Sequence, residues 1–396
     1  MTVESTREPL ASMHPKMRDE LFELRRAIHR EPELAFQEKD TAEKLERALQ
    51  SFGIRDMKRI AGTGIVARIP GTDRGAPVVA IRGDIDALPI KEETGLPFAS
   101  RRDGVMHACG HDVHATWAVG AAALIAAKPS RGDTVVVLQP AEEIGRGAAA
   151  VLETGALDDV AVIFGAHVDR RFELGQVVAD SGPLAASADT FEIELVGQGA
   201  HAARPHEARD PIVAAAALVT ALQTIVARRL NPATPGVVTV GQINAGNAPN
   251  VIPDRAVLRG TIRAVDPESR TLMLDELRRL AEAIATAHGV DAHIDIPEGT
   301  PPLVNPEGAV AWSREAVTRV LGEEALVPLG FLNLAGEDFA YYLERMPGCF
   351  LRIGAREPGG KPIPAHSPRF YPAEDSIVIG ALVLAECARV AAAQPT

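Results

Sequence analysis

The spacing of apolar residues changes character along the chain. Residues 16–30, "KMRDELFELRRAIHR", repeat at helical spacing, and "TAEKLERALQSFG" predicts a second helix stopped by Gly53. "GIVARIP" and "PVVAIRGD" then predict strands, "HATWAVGAAALIAAK" a helix beginning near His114, and "TVVVLQP" a buried strand. A helix over "RGAAAVLETG" and a strand over "VAVIFGAH" follow, so this part predicts an α/β layer with a largely parallel sheet. Near residue 184 the period drops to two. In "DTFEIELVG" the apolar Phe191, Ile193 and Leu195 alternate with Glu192 and Glu194, as in a strand with one wet face.

The helix "DPIVAAAALVTALQTIVARR" follows, with Ile212, Ala216, Val219 and Val226 on one face. Next come strands "GVVTVGQIN" and "AVLRGTIRA", then a helix carrying Met273, Leu277, Leu280 and Ile284 and closed by Gly289, then strand "DAHIDI". The order β-α-β-β-α-β is that of a ferredoxin-like split βαβ unit. Linkers rich in glycine and proline, "DSGPLAASA" and "PEGTPPLVNP", flank it. The reading is therefore a first domain over 1–183, an inserted lid over 184–298, and a return to the first domain over 299–396. The return carries helix "EGAVAWSREAVTRVLG", strand "CFLRIGA" and a C-terminal helix. "GTGIVA" (62–67) fits a dinucleotide-binding spacing but runs into a strand where that motif needs a helix, so it reads as a turn.

Composition narrows the function. The 396 residues are 46% hydrophobic and 24% charged, with 41 Lys+Arg against 53 Asp+Glu and a net charge of −12. A chain this acidic, with no basic block, is a poor binder of nucleic acid or anionic membrane. The opening "MTVESTREPLASMHPKMRDE" has no apolar signal core, and no segment approaches 18 unbroken apolar residues. Three cysteines make no disulfide framework, and the expectation is a cytoplasmic protein.

In an open α/β sheet, ligands gather at the carboxyl ends of the strands. Those ends here hold Asp84 and Asp86, Glu142 and Glu143, and His167; "HACGHD" (107–112) opens a helix, and the loop "REPGGKPIPAHSPRFYP" holds His366. Imidazole, thiolate and carboxylate together suit zinc, nickel, cobalt or manganese better than magnesium or calcium. Neighbouring Glu142 and Glu143 point different ways, so one is able to bind metal while the other takes a proton from water.

"RGDIDALPI", "MHACGHDVH", "QPAEEIGRGA", "GAHV", "GQGAHAARPH", "NVIPD" and "GEDFAYYL" resemble, in order and over nearly the whole chain, the amidohydrolase branch of the aminoacylase/carboxypeptidase G metallopeptidase family. That branch includes hippurate hydrolases, N-acetyl-amino-acid deacetylases and hydrolases of indoleacetyl-amino-acid conjugates. The resemblance implies a zinc-aminopeptidase-like catalytic domain with a lid, acting as a metal-dependent amidohydrolase on N-acyl amino acids. It implies that Cys109, His111, Glu143, His167 and His366 hold two divalent transition-metal ions and that Glu142 is the general base. It places His201 as a lid histidine supporting charge on the carbonyl oxygen, Asn250 and Arg263 on the substrate's carboxylate and carbonyl, and Asp86 behind a ligand histidine. In several relatives the lids pair in a homodimer and this histidine reaches the partner's site, which is the expectation for His201.

Two rivals stand beside this reading. A dipeptidase or carboxypeptidase of the same superfamily usually has aspartate at the bridging position, where this chain has Cys109. A non-catalytic, metal-stabilised binding protein would be free to lose Glu142, which is present. "DRRFELGQ" after "GAHV", "GQGAHA" and "AGEDF" depart from the commoner family pattern and bear on the substrate pocket. His107 and His114 read as packing or supporting residues, Cys349 and Cys387 as core, His14 as solvated, and His206 as surface or substrate contact.

Overall fold

The computed structural model describes residues 11–332 and 334–395. The chain forms two compact units, one from Met1–Gly182, Asn305–Phe331 and Tyr341–Thr396, the other from Pro183–Val304 and Leu332–Ala340. The segment 332–340 therefore groups with the second unit, whereas the sequence reading gives it to the returning first domain.

The first unit opens with helices α1 (Pro15–Arg30) and α2 (Lys39–Ser51) and strands β1 (Met57–Ile60), β2 (Gly64–Ile69) and β3 (Val79–Asp84). It continues through α3 (His111–Ala127), β4 (Thr134–Gln139), α4 (Gly147–Glu153), β5 (Val162–Glu173) and β6 (Val177–Val178). The second unit supplies β7 (Asp189–Val196), α5 (Pro211–Thr224), β8 (Gly236–Ala245), β9 (Arg255–Ala264), α6 (Pro267–His288) and β10 (Asp291–Asp295). The chain returns with α7 (Glu307–Leu321), β11 (Gly348–Arg356) and α8 (Asp375–Ala392).

The seven strands of the first unit run in the order β1-β2-β4-β3-β5-β11-β6. The central four, β4, β3, β5 and β11, are parallel, and the outer pairings are antiparallel. Strands β3 and β4 are buried at every position, as in a sheet covered on both faces; β4 is nearly all apolar, and the polar end of β3 is buried as the Arg82–Asp84 ion pair. Helix α3 is apolar nearly all round because it lies between the sheet and α8, with Trp117 fully buried. Two glycines set how closely it sits. A Cβ on Gly83 would come within 2.5 Å of the His114 carbonyl oxygen, and one on Gly380 within 2.2 Å of the Trp117 ring. The helix begins at His111, three residues before its expected start, because Gly110 takes φ +96° and turns the chain directly into it.

In the second unit four antiparallel strands run β8-β9-β7-β10, the ferredoxin-like arrangement, with Asp210 and Asp266 capping α5 and α6. The buried face of α5 is Ala214, Ala215, Leu218 and Leu222, while Ile212 and Ala216 point outward. The helix is apolar on both sides, so periodicity could not choose between them. Strand β7 lies inside the sheet between β9 and β10, so it offers no free edge for pairing. Among the described residues, only α5 with its continuation to Arg229 has the length and composition to cross a membrane, and its inner face packs into the core of this unit.

Candidate metal centre

Asp86, just beyond the end of β3, ties two neighbouring segments together. One carboxylate oxygen lies 3.1 Å from Nδ1 of His111, the first residue of α3, and the other accepts the backbone N–H of Glu143 at 3.0 Å. With Nδ1 donating to Asp86, the His111 ring leaves Nε2 as its acceptor. That atom is buried without a hydrogen-bond partner, 3.7 Å from Oε2 of Glu142 and 3.7 Å from Oε1 of Glu143, which is itself buried without a partner.

Cys109 Sγ lies 3.2 Å from Nε2 of His167, whose Nδ1–H donates to the Val168 carbonyl at 2.7 Å, so Nε2 carries the lone pair. His366 Nε2 is 3.3 Å from the second Glu143 oxygen. The donor atoms of Cys109, His111 and His167 lie within 4.8 Å of one another, as do those of Cys109, Glu143 and His366 and those of His111, Glu142 and Glu143. The five ligands proposed from sequence thus form two overlapping groups that share one thiol, and Glu142 stands beside them. Asp84, His111 and His114 make a further close group. His114 has no free lone pair, because Nδ1–H donates to Asp84 at 2.7 Å and Nε2 accepts the Val168 N–H at 3.0 Å. It is a strut under the site.

Charge supports a cation here. Burial, aided by Glu143, pushes the Cys109 thiol well up, and a bound cation reverses that effect. Burial opposes a charge on His111, but Asp84, Asp86 and Cys109 outweigh it and raise its pKa. Burial and the nearby His114 and Arg352 hold His167 well below the usual histidine range, so it stays a neutral imidazole able to ligate. Soft and borderline donors, two unpartnered buried atoms and concentrated negative charge fit a transition-metal pair.

Three features of the site escaped the sequence reading. Ala141, preceding Glu142, has φ +54°, and its N–H donates at 3.0 Å to Oε1 of buried Glu38, whose Oε2 accepts from Thr63 at 2.5 Å. The cost of a strained residue is roughly 1–3 kcal/mol, so the carboxylate holds a turn that would otherwise relax. His366 is strained too, at φ +65°, with its N–H on the Ala108 carbonyl at 2.8 Å.

The third feature is buried Arg170, which lies in the unusual "DRRFEL" segment and knots both ends of the His366 loop. Its guanidinium donates to Glu357 at 2.8 Å, to the Lys361 carbonyl at 3.0 Å and to the Tyr371 carbonyl at 2.8 Å. Tyr371 stacks on it and donates its hydroxyl to Glu357 at 2.9 Å. A second buried network, Arg25 and His29 on Asp112, anchors α1 to the first turn of α3.

Of the remaining sequence candidates, His201 and Asn250 are neighbours in the second unit. His201 pairs with Val251, and the Ala202 N–H donates to the Asn250 carbonyl at 3.0 Å. The His201 ring is exposed, with Nδ1 accepting the Ala203 N–H. Arg263 is half-buried on β9, opposite Val237 of β8.

Residues 80–390 match the family model for peptidase family M20/M25/M40, and the chain belongs to that family. It is 40% identical over 372 residues to N-acetyl-L-cysteine deacetylase of Bacillus subtilis, covering 93% of this chain and 88% of that one. It is 36% identical over 380 residues to IAA-amino acid hydrolase ILR1-like 2 of Arabidopsis thaliana, covering 94% and 85%. Among solved structures, the Bacillus subtilis YXEP protein, described as a dinuclear metal binding peptidase of the M20 family, superposes with a TM-score of 0.84 at 36% identity, covering 95% of this chain and 99% of that one.

The Arg170 knot has a pH signature. Hydrogen bonds from Arg170 hold Glu357 down at about 2, below the ordinary carboxylate value of 4.5. A carboxylate depressed by folding stabilises the fold above its unfolded pKa, and that contribution is lost as pH falls through the folded value. The stability gap between wild type and Glu357→Gln should therefore be constant above about pH 5.5 and shrink progressively from about pH 4.5 towards pH 2. Denaturation midpoints across that range check it; a gap unchanged down to pH 2 would contradict the knot.

Proposed function

We propose that this chain is a metal-dependent amidohydrolase cleaving the amide bond of N-acyl amino acids to a carboxylic acid and a free amino acid. The observation that carries the reading is the convergence of Cys109, His111, Glu143, His167 and His366 about one shared thiol, with Glu142 beside them. These five residues hold two divalent transition-metal ions, from among zinc, manganese, cobalt and nickel. When bound, the ions supply Lewis acidity toward the amide carbonyl and the attacking water.

The chain's own groups do the rest. Glu142 takes a proton from water as the C–O bond forms and delivers it to the amine nitrogen as the C–N bond breaks. His201 donates to the carbonyl oxygen, where negative charge develops. Asn250 and Arg263 hold the substrate's carboxylate and carbonyl, and Asp86 keeps His111 in its ligating tautomer. The relatives' names support an acyl group in the range from acetyl to indoleacetyl. The enzyme works as a cytoplasmic homodimer paired through its second unit. Supporting that pairing, Ile212 and Val213 on the outer side of α5 are 43% and 52% exposed. The acidic net charge supports a small-molecule substrate, with no nucleic-acid or membrane partner.

Release of free amino acid from acetyl, benzoyl and indoleacetyl conjugates, assayed with Zn, Mn, Co and Ni, tests the reaction; no release from any of them would end this reading. Glu142→Gln should keep its metal and lose on the order of 10²-fold or more in turnover. Glu143→Gln and Cys109→Ala should lose metal as well, by elemental analysis of the purified variants. Identical behaviour of the two glutamate variants would break the proposed division of labour.

If His201 serves the partner's site, mixing His201→Ala with Glu142→Gln protein under subunit exchange should restore activity from two inactive parents. One site of the mixed dimer then has both groups. Exchange confirmed by native mass spectrometry without recovered activity would place His201 in its own chain's site or outside the reaction.

A further inference from the structure

Four arginines are buried among the described residues: Arg25, Arg82, Arg170 and Arg352. Three are paired with carboxylates. Arg25 lies 2.6 Å from Asp112, Arg82 is bonded to Asp84, and Arg170 lies 2.8 Å from Glu357. Arg352 is only 6% exposed, its side chain has no ion pair or hydrogen bond among the described residues, and its Nε is buried without a partner. Its guanidinium lies over the face of Phe350, 5.4 Å from the ring centroid. In a chain with 53 acidic residues, partners were available. A guanidinium nitrogen buried without a partner is costly for a fold to retain, so a role is called for.

Its position supplies one. Arg352 lies on β11 directly beside His167 of β5 in the parallel register. Paired residues on adjacent parallel strands present their side chains to the same face, about 4.8 Å apart. The guanidinium therefore shares the side of the sheet from which His167 meets Cys109. The neighbouring residues of β11 face the other way. Cys349, Leu351, Ile353 and Ala355 belong to the core of the first unit, so Arg352 is set apart from the packing that holds the strand.

We propose that Arg352 binds a carboxylate of the substrate other than the one assigned to Asn250 and Arg263, and so selects N-acyl amino acids that carry two carboxylates. The inference rests on the amidohydrolase reading. The second carboxylate belongs either to the amino acid's side chain or to the far end of a dicarboxylic acyl group. A guanidinium recognises either one in the same way, through two parallel charge-assisted hydrogen bonds.

The test compares wild type with Arg352→Met and Arg352→Lys. N-acetylglutamate against N-acetylglutamine tests the side-chain source, and N-glutarylglycine against N-butyrylglycine the acyl source. Wild type should favour the acidic member of one pair by roughly 10- to 100-fold in kcat/KM, the range a hydrogen bond to a charged group supplies. Arg352→Met should abolish that preference, leave the neutral substrates little changed, and melt no lower than wild type without ligand. Arg352→Lys should keep part of the preference. Equal losses on acidic and neutral substrates, no acid preference in wild type, or a lowered melting point in Arg352→Met would overturn the proposal.

A binding measurement separates this inference from the reaction itself. At matched ionic strength, glutarate should raise the melting temperature of wild type more than butyrate does, and Arg352→Met should lose that difference. Glutarate protection that depends on Arg352 supports the anion site even if no N-acyl amino acid is hydrolysed. Equal protection of both proteins overturns it even if hydrolysis is found.

Discussion

The two hydrogen bonds of Asp86 are the constraint on which the candidate centre depends. One carboxylate turns the His111 ring at the start of α3, and its other oxygen holds the backbone of Glu143 after β4. Those segments leave the sheet from adjacent parallel strands, and without a common anchor nothing local would bring imidazole and carboxylate to one point. The anchor works because α3 is seated so closely: Gly83 permits contact with the His114 carbonyl, and Gly380 permits contact with Trp117. Sheet, helix and ligand orientation are thus one mechanical unit. Supporting groups of this type usually change metal affinity by about 10- to 100-fold when removed.

Around that anchor the fold stores strain where the chemistry lies. Ala141 and His366 both take positive φ, and each is restrained from a distance, by Glu38 in one case and by the Ala108 carbonyl with the Arg170 knot in the other. The buried ring of acceptors is also electrostatically incomplete. Glu142, Glu143, Asp84 and Asp86 concentrate negative charge around the Cys109 thiol, and Arg82 is bonded to Asp84. Burial first, and Glu143 after it, raise the Cys109 thiol, and positive charge at the shared thiol opposes that shift.

Much of this was legible because it is local. Donor types fall at strand ends within short motifs, and alternation of periods separated the α/β layer from the βαββαβ unit. Long-range restraints were not legible: Glu38 reaches Ala141 across 103 residues, and Arg170 reaches Glu357 across 187. Nothing in a one-dimensional pattern marks those carboxylates as different from solvated ones. Periodicity alone did not say which face of α5 is the inner one, because alanines and valines surround that helix, so burial was decided by the sheet it meets. Arg352 looked like an ordinary strand residue; its lack of a partner shows only in three dimensions. The "DRRFEL" departure was visible, and its consequence, the knot on the His366 loop, was not.

The central claim is that Cys109, common to both donor groups, would serve both ions as a thiolate when they are bound. X-ray absorption at the zinc edge of protein loaded with two equivalents tests it most directly, since Cys349 and Cys387 are sealed in the core. The account predicts a sulfur shell at about 2.3 Å with an average of one sulfur per zinc, because the same atom would serve both sites. An average of half a sulfur per zinc, meaning a thiolate on one ion only, or no sulfur shell at all, would contradict it.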